Sequence, residues 1–264
     1  MRPTRRSGNL LLPLALVVAG PLAGCKTANL TSDAAVVRGP ANGDPNDLLS
    51  DFSQDRAIVV PLGDPVRNGI WYSYNDGTCR QTPAHGEPYY PSTPAVPPPG
   101  FSGGRALHAS WSQCSVWGAG VGADFAVPVG ADSAAVGPRT PYNLQPYAGV
   151  AFWAMAAPGT STQVRVKMVM RISTQIQDRG ACDEGVLGPD SCGDEWGEPV
   201  ELPDDGSWAQ VTVRFSDANF KQEGWGNTFA WNPADVFGIQ FQTVAVTDVG
   251  GLYDFWIDDL YLVR

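Results

Sequence analysis

Two adjacent carboxylates, Asp258 and Asp259, stand in the middle of YDFWIDDLYLV (residues 253–263), whose Trp, Ile, Leu, Tyr and Val otherwise spell a core β-strand. Asp is depleted in strands, and a buried carboxylate without compensation is costly. Something in the fold must answer that charge. Hydrolytic use of a carboxylate would need a second acid at a set separation across a scissile bond. Glu195 and Glu198, in CGDEWGE, are instead spaced for a turn and read as a solvated loop. Of the two histidines, His85 lies in the Pro-rich stretch TPAHGEPYYPSTPAVPPPG and His108 in a predicted strand without an acid-rich pattern nearby. The only G-x-S-x-G match, Gly100-Phe101-Ser102-Gly103-Gly104, follows a Pro-rich run rather than joining a strand to a helix as a nucleophile elbow requires, and the sequence has no H-E-x-x-H pair or phosphate-cradling Gly loop. It reads as a non-catalytic chain, with an unrecognised hydrolase or lyase as the alternative.

Aromatic rings offer binding chemistry instead. The chain carries 9 Trp, 8 Tyr and 10 Phe. Phe152, Phe215, Phe241 and Trp256 sit on runs too apolar to be exposed. Trp71, Tyr72 and Tyr74 in NGIWYSYNDGT, Trp117 in CSVWGAG, Trp225 in QEGWGNTF and Trp231 in AWNPAD flank polar or Gly-rich turns. A flat apolar ring with a polar rim suits stacking on a pyranose C–H face, while Arg, Gln and Asp bond the hydroxyls. The competing role for each Trp is to seal a sandwich edge. Alternation along strands supplies polar partners. In QVRVKMVMRIS, Val164, Val166, Met168, Met170 and Ile172 share one face, and Gln163, Arg165, Lys167, Val169, Arg171 and Ser173 the other. In FGIQFQT, Phe237, Ile239 and Phe241 oppose Gln240 and Gln242. A solvated sheet face and a ligand platform both fit this pattern.

The elements that must position these residues are strands. They are predicted near Leu49–Phe52, Ile70–Tyr74, Ala106–Trp111, Gly122–Phe125, Gly149–Ala156, Val164–Ser173, Ala209–Phe215, Val236–Thr243 and Phe255–Leu262, between Gly, Pro, Asn and Asp clusters. No segment keeps a helical period over three turns, and no internal repeat is visible. The natural architecture is all-β, an antiparallel β-sandwich of jelly-roll type. A length of 264 residues holds one such domain with appendages.

Charged residues make up only 17% of the chain, and the net charge is −10. This argues against nucleic acid, and against holding a polyanionic polysaccharide through net charge. A neutral partner or a metal ion is easier to accommodate. The N-terminal stretch MRPTRRSGNLLLPLALVVAGPLAGCK places Arg2, Arg5 and Arg6 before an apolar core, Leu10 to Ala19, too short for a comfortable membrane span. Leu22-Ala23-Gly24-Cys25 resembles the bacterial lipobox. That resemblance implies a signal over residues 1–25, acylation of Cys25, and membrane contact through lipid only. Lys26 in the next position implies the outer membrane. Without the three arginines the mature balance is 14 basic against 27 acidic residues, or −13. Residues 26–47 are small, polar and aperiodic and read as a tether, leaving 48–264 as the domain.

Four further cysteines, Cys79, Cys114, Cys182 and Cys192, form an even set that reads as two disulfides in an exported protein. Three pairings are possible. Cys79–Cys114 with Cys182–Cys192 is favoured, since each pair brackets a Gly/Pro-rich insertion. A four-cysteine zinc site is the alternative, weakened by the lack of any C-x-x-C pair.

SDF, NGIWYSYNDGT, WGAGVGADF, YNLQPYAGVAFWAMA, CDEGVLGPDSC, SWAQVTVRFSD, QEGWG and FWIDDLYLV occur in that order over residues 48–264. Together they resemble the galactose-binding-like jelly-roll modules related to carbohydrate-binding module family 11. The resemblance implies a structural calcium ion tying the first strand to the last, with Asp51 and Asp258 as ligands and Asp76 as a further candidate. Calcium takes several oxygen ligands, which would answer the charge of Asp258. The expected function is a non-catalytic, lipid-anchored envelope protein that binds an oligosaccharide or polysaccharide. Its ligand contacts are expected from Trp71, Tyr72, Tyr74, Trp117, Arg165, Lys167, Arg171, Trp225 and Gln240. The alternative is a structural or protein-binding adaptor lipoprotein, presenting a flat patch near Tyr89 and Tyr90.

Overall fold

The computed structural model describes residues 44–53, 59–63, 66–87, 89–98, 104–127, 139–244 and 251–264. The expectations for Cys25, the signal segment and tether residues 26–43 lie outside these residues. Among the described residues the strands are β1 (Leu48–Ser50), β2 (Leu62–Gly63), β3 (Val66–Arg67), β4 (Trp71–Asn75), β5 (Arg80–Thr82), β6 (Leu107–Ser112), β7 (Ala119–Asp124), β8 (Gly149–Ala156), β9 (Gln163–Met170), β10 (Trp196–Glu201), β11 (Ala209–Arg214), β12 (Val236–Thr243) and β13 (Tyr253–Val263). A 3₁₀ turn, Ile176–Asp178, and one α-helical turn, Glu184–Leu187, lie in the loop between β9 and β10.

Two antiparallel sheets form a sandwich. One runs β11-β8-β13-β6-β5, with β1 added on β13; the other runs β10-β9-β12-β7-β4, and β2 pairs only with β3. The inward residues of both sheets make one core. Phe152 of β8 meets Phe241 of β12 edge-on at 5.1 Å, and the Trp111 indole of β6 donates to Thr243 Oγ1 of β12 at 3.0 Å. Aromatic pairs in such edge-on geometry add to their area burial, and the indole N–H keeps a partner although buried.

The Asp258–Asp259 pair lies in a break of register. β13 pairs β8 as Asp258 with Trp153 and then Tyr261 with Ala151, so one extra residue bulges from β13. Asp259 has φ 45°, a left-handed conformation that Asp tolerates better than most residues. Asp258 is fully buried, and its Oδ1 accepts the Asp259 amide at 2.8 Å. The bulge also divides the partners of β13: residues 253–257 pair with β6, and Tyr261 and Leu260 with β1.

Both disulfides form as favoured from sequence, Cys79–Cys114 and Cys182–Cys192. The first ties the turn after β4 to the segment before β7. The second staples the long β9–β10 loop.

Candidate functional site

The outward face of the five-stranded sheet is built from two cross-strand rows. Register places Tyr74 (β4), Gly120 (β7), Gln242 (β12), Arg165 (β9) and Pro199 (β10) side by side. Two residues along each strand lies the second row: Tyr72, Gly122, Gln240, Lys167 and Gly197. With strands about 4.8 Å apart, each row spans about 19 Å, and the rows are about 6.7 Å apart. Each row thus repeats one order: ring, glycine, amide, cation, small residue.

The glycines are what let the long side chains lie flat. A Cβ on Gly120 would sit 2.5 Å from the Tyr74 ring and 2.7 Å from the Phe241 carbonyl oxygen. On Gly122 it would sit 2.7 Å from Gln240 Cγ and 3.1 Å from the Tyr72 hydroxyl. The two tyrosines and two glutamines therefore fold over β7 and meet. Tyr74 donates to Gln242 Oε1 at 3.2 Å, and Lys167 Nζ donates to the same oxygen. Gln240 Nε2 and Arg139 Nη2 both donate to the Tyr72 hydroxyl at 3.1 Å. Arg139 in turn grips Asp124, at the end of β7, at 2.7–3.0 Å.

Two exposed indoles flank the rows. Trp117, 41% exposed, stacks on Tyr74 with centroids 5.9 Å apart. Trp225, 55% exposed, donates to Glu223 Oε2 at 3.2 Å, and that carboxylate lies 3.8 Å from Arg165 Nε. Arg165 also donates to the Lys221 carbonyl at 2.6 Å. Beside the second row is a pocket of about 170 Å³ bounded by Arg139, Lys167, Gln240, Gln175, Asp178 and Glu195. Clefts that swallow a whole small molecule start near 300 Å³, so this pocket is too small to enclose one.

Burial sets the charge states. Lys167, 7% exposed, has its ammonium pulled down to about 8 by burial, partly opposed by the nearby Glu195. Burial lifts Tyr72 to about 12, reinforced by Asp124, and lifts Tyr74 well above its ordinary range. Glu195 is raised by burial although Ser173 and the Met170 amide donate to it. The face therefore offers neutral phenols, amides and a partly desolvated amine, a hydrogen-bonding set for hydroxyls, with two indoles for C–H faces.

Of the residues singled out from sequence, the structure brings Tyr72, Tyr74, Trp117, Arg165, Lys167, Trp225 and Gln240 onto this face. Trp71 is a correction. It is 2% exposed, packs on Phe52 and Phe241, and donates to Ser50 Oγ at 3.3 Å, because strand parity turns it inward with Ser73 while Tyr72 and Tyr74 face out. Arg171 lies past the end of β9 and pairs with Asp235 at 2.8 Å, apart from the rows. Glu195 is no solvated loop residue; it is 5% exposed beneath the pocket. Arg139, Gln242 and the floor glycines were not assigned to a site, although G-x-G at alternating positions of AGVGAD carried the signal for the floor.

Asp76 does not stand free for a metal. Its Oδ2 accepts the amides of Val116, Trp117 and Gly118 at 2.9–3.0 Å, and its Oδ1 accepts the Thr78 amide at 2.9 Å. Burial pushes this carboxyl up, but the bonds from Thr78, Gly118 and Val116 outweigh it and hold Asp76 well below the usual range. Asp51 Oδ1 accepts from the amide and hydroxyl of Ser53 at 3.1 and 2.9 Å. Among the described residues no three His, Cys, Asp or Glu side chains cluster for a metal. Calcium takes six to eight oxygens, so an ion held by Asp51 and Asp258 would need backbone carbonyls for most of its shell. Tyr89, expected on an exposed patch, is 1% exposed and donates to the His108 carbonyl, which leaves Tyr90 alone at the surface.

No protein-family model matches the sequence, and no curated protein matches it. Among solved structures, the chain is similar to a family 11 carbohydrate-binding module from Clostridium thermocellum in complex with a β-1,3-1,4-mixed-linked tetrasaccharide, at 14% identity and a TM-score of 0.46, covering 82% of this chain and 94% of that one. It is similar to a family 30 carbohydrate-binding module of a cellulosomal cellulase from the same organism at 12% identity and a TM-score of 0.45, covering 80% and 95%. An exo-β-agarase is similar over 82% of this chain and 24% of its own, at 13% identity and a TM-score of 0.44.

Proposed function

We propose that this protein is a non-catalytic glycan-binding module, with the outward face of the five-stranded sheet as its ligand platform. One observation carries the reading: two parallel rows of ring, glycine, amide and cation, flanked by exposed Trp117 and Trp225, converge on one face. Rings stack on pyranose C–H faces, and Gln240, Gln242, Lys167 and Arg165 bond hydroxyls. The carboxylates on the face support holding rather than turnover. Asp124 is spent on Arg139, Glu195 on Ser173 and the Met170 amide, and Glu223 on Trp225. An open face with a small pocket gives little buried area, so Kd is expected on the order of 10 µM to 1 mM.

A glycan array of neutral oligosaccharides, probed with the full chain, tests this. Binding to one glycan class, lost in Tyr74→Ala and Trp117→Ala, is the expected result. A folded protein that binds nothing would overturn it and favour the adaptor role. Two attributes of the proposal rest on sequence. Lipid attachment at Cys25 at the outer membrane is supported by the lipobox-like stretch and by two disulfides, which persist in oxidising compartments; loss of detergent-phase partitioning in Cys25→Ala tests it. A structural calcium at Asp51 and Asp258 predicts a melting temperature lowered by chelator, and an unchanged one would rule it out.

A further inference from the structure

Two carboxylates outside the rows share one arrangement. Asp76 Oδ2 gathers the amides of Val116, Trp117 and Gly118, while Thr78, bonded to Asp76, accepts the Ser115 amide at 2.9 Å. Asp194, 1% exposed, accepts the Glu223 amide on Oδ1 at 2.9 Å and the Gly224 and Gly226 amides on Oδ2 at 2.7 and 3.3 Å. Each carboxylate thus fastens three backbone amides of a turn, and each turn bears one of the two exposed indoles. The turns are shaped for this. Gly118 has φ +100° and Gly224 φ +93°, and a Cβ on Gly226 would lie 2.7 Å from Asp194 Cβ.

Exposed indoles need such fastening. A Trp ring buries a large apolar area wherever it can reach one, and a loose turn would let it collapse onto neighbouring surface. Charge-assisted bonds to three amides restrain that motion more than neutral side chains would. We propose that Asp76 and Asp194 are positioning residues that hold Trp117 and Trp225 rigid before ligand arrives. The proposal rests on the glycan-binding reading for its consequence, and on the turns alone for its mechanism. Preorganising one ring saves the cost of immobilising it on binding, worth about two- to tenfold in affinity per clamp.

The test uses ¹⁵N relaxation of the indole N–H groups in the full chain, with cellotetraose as the binding probe. In the free wild type both indoles should be as ordered as rigid backbone, with order parameters of about 0.85. Asp76→Asn, which removes the charge and sets an NH2 donor against either the three amides or the Thr78 amide, should loosen Trp117 alone, and Asp194→Asn should loosen Trp225 alone. Each variant should bind the probe two- to tenfold more weakly. Indoles already mobile in the free wild type would overturn the proposal without any variant, which covers misfolding of the buried Asp194→Asn. Unchanged affinity in a variant with a loosened indole would overturn it too. A wild type that does not bind cellotetraose or any array glycan would count against the glycan reading, and the clamps would then stand or fall on the relaxation data.

Discussion

Replacing Lys167 by methionine should make the protein more stable at neutral pH while weakening its ligand binding. The ammonium titrates near 10.5 when unfolded and near 8 in the folded protein, where burial is the main cause. Each unit of difference is worth 1.36 kcal/mol, so carrying the charge at pH 7 costs the fold about 3 kcal/mol. Methionine keeps the stem volume and removes the charge. It also leaves Gln242 Oε1 with only the Tyr74 hydroxyl, a loss of about 1 kcal/mol. The net gain is about 2 kcal/mol at pH 7, or about 4–8 °C in Tm for a domain of this size. The pH dependence separates this cause from general repacking. Between pH 8 and 10.5 the unfolded chain binds more protons at Lys167 than the folded one, so wild-type stability rises with pH there. The advantage of Lys167→Met should therefore fade by pH 10. Urea unfolding of both proteins at pH 7, 8.5 and 10 measures it. A variant less stable than wild type at pH 7, or a gain that is the same at all three pH values, would refute the reasoning.

Other outcomes follow from neighbouring features. Tyr72 titrates near 12 when folded against 10 when unfolded, so its contribution is lost as pH rises above 10, and Tyr72→Phe should flatten the wild-type decline seen by circular dichroism between pH 10 and 12. Gly122→Ala should cost about 1–3 kcal/mol in denaturant unfolding, since its Cβ would press on Gln240 Cγ and on the Ile239 carbonyl oxygen at 2.8 Å. Removing Cys182–Cys192, with a sequence separation of 10, should cost about 2–3 kcal/mol on the chain-entropy account, read by the same unfolding assay. Trp71→Ala should cost about 3–5 kcal/mol of stability, whereas Trp117→Ala should shift stability little and be read in binding.

Strand alternation made much of this legible before any coordinates. QVRVKMVM carries a period of two that puts Arg165 with Lys167 on one side, FGIQFQT puts Gln240 with Gln242 on one side but breaks at Phe237, where a bulge sets the ring against Arg139, and β8 and β12 were bounded correctly at both ends. In NGIWYSYN the aromatic density hid the same period: Trp71 and Ser73 turn in, Tyr72 and Tyr74 out. β10 escaped because WGEPVE mixes acids, Gly and Pro, and its strand state comes from pairing with β9 rather than from propensity. Arg139 and Glu195 were beyond reach for another reason. They come to the face through loops, whose paths are set by tertiary contacts such as the Asp124 ion pair and the Cys182–Cys192 staple. The bulge at Asp258–Asp259, which turns the Asp259 amide onto Asp258 Oδ1, is a backbone feature that side-chain reasoning alone could not supply.

The place of β13 also dictates an order of assembly. It lies between β8 and β6, so until residues 253–263 dock the six-stranded sheet can exist only as separate pieces, β11–β8 and β6–β5. Until β13 docks, the facing edges of β6 and β8 are unpaired, and such edges recruit strands from other chains. The long sequence separation between these partners slows the final closure as well. A chain of this protein is thus most exposed to mispairing before β13 docks, and the last step of assembly is the insertion of one strand between two.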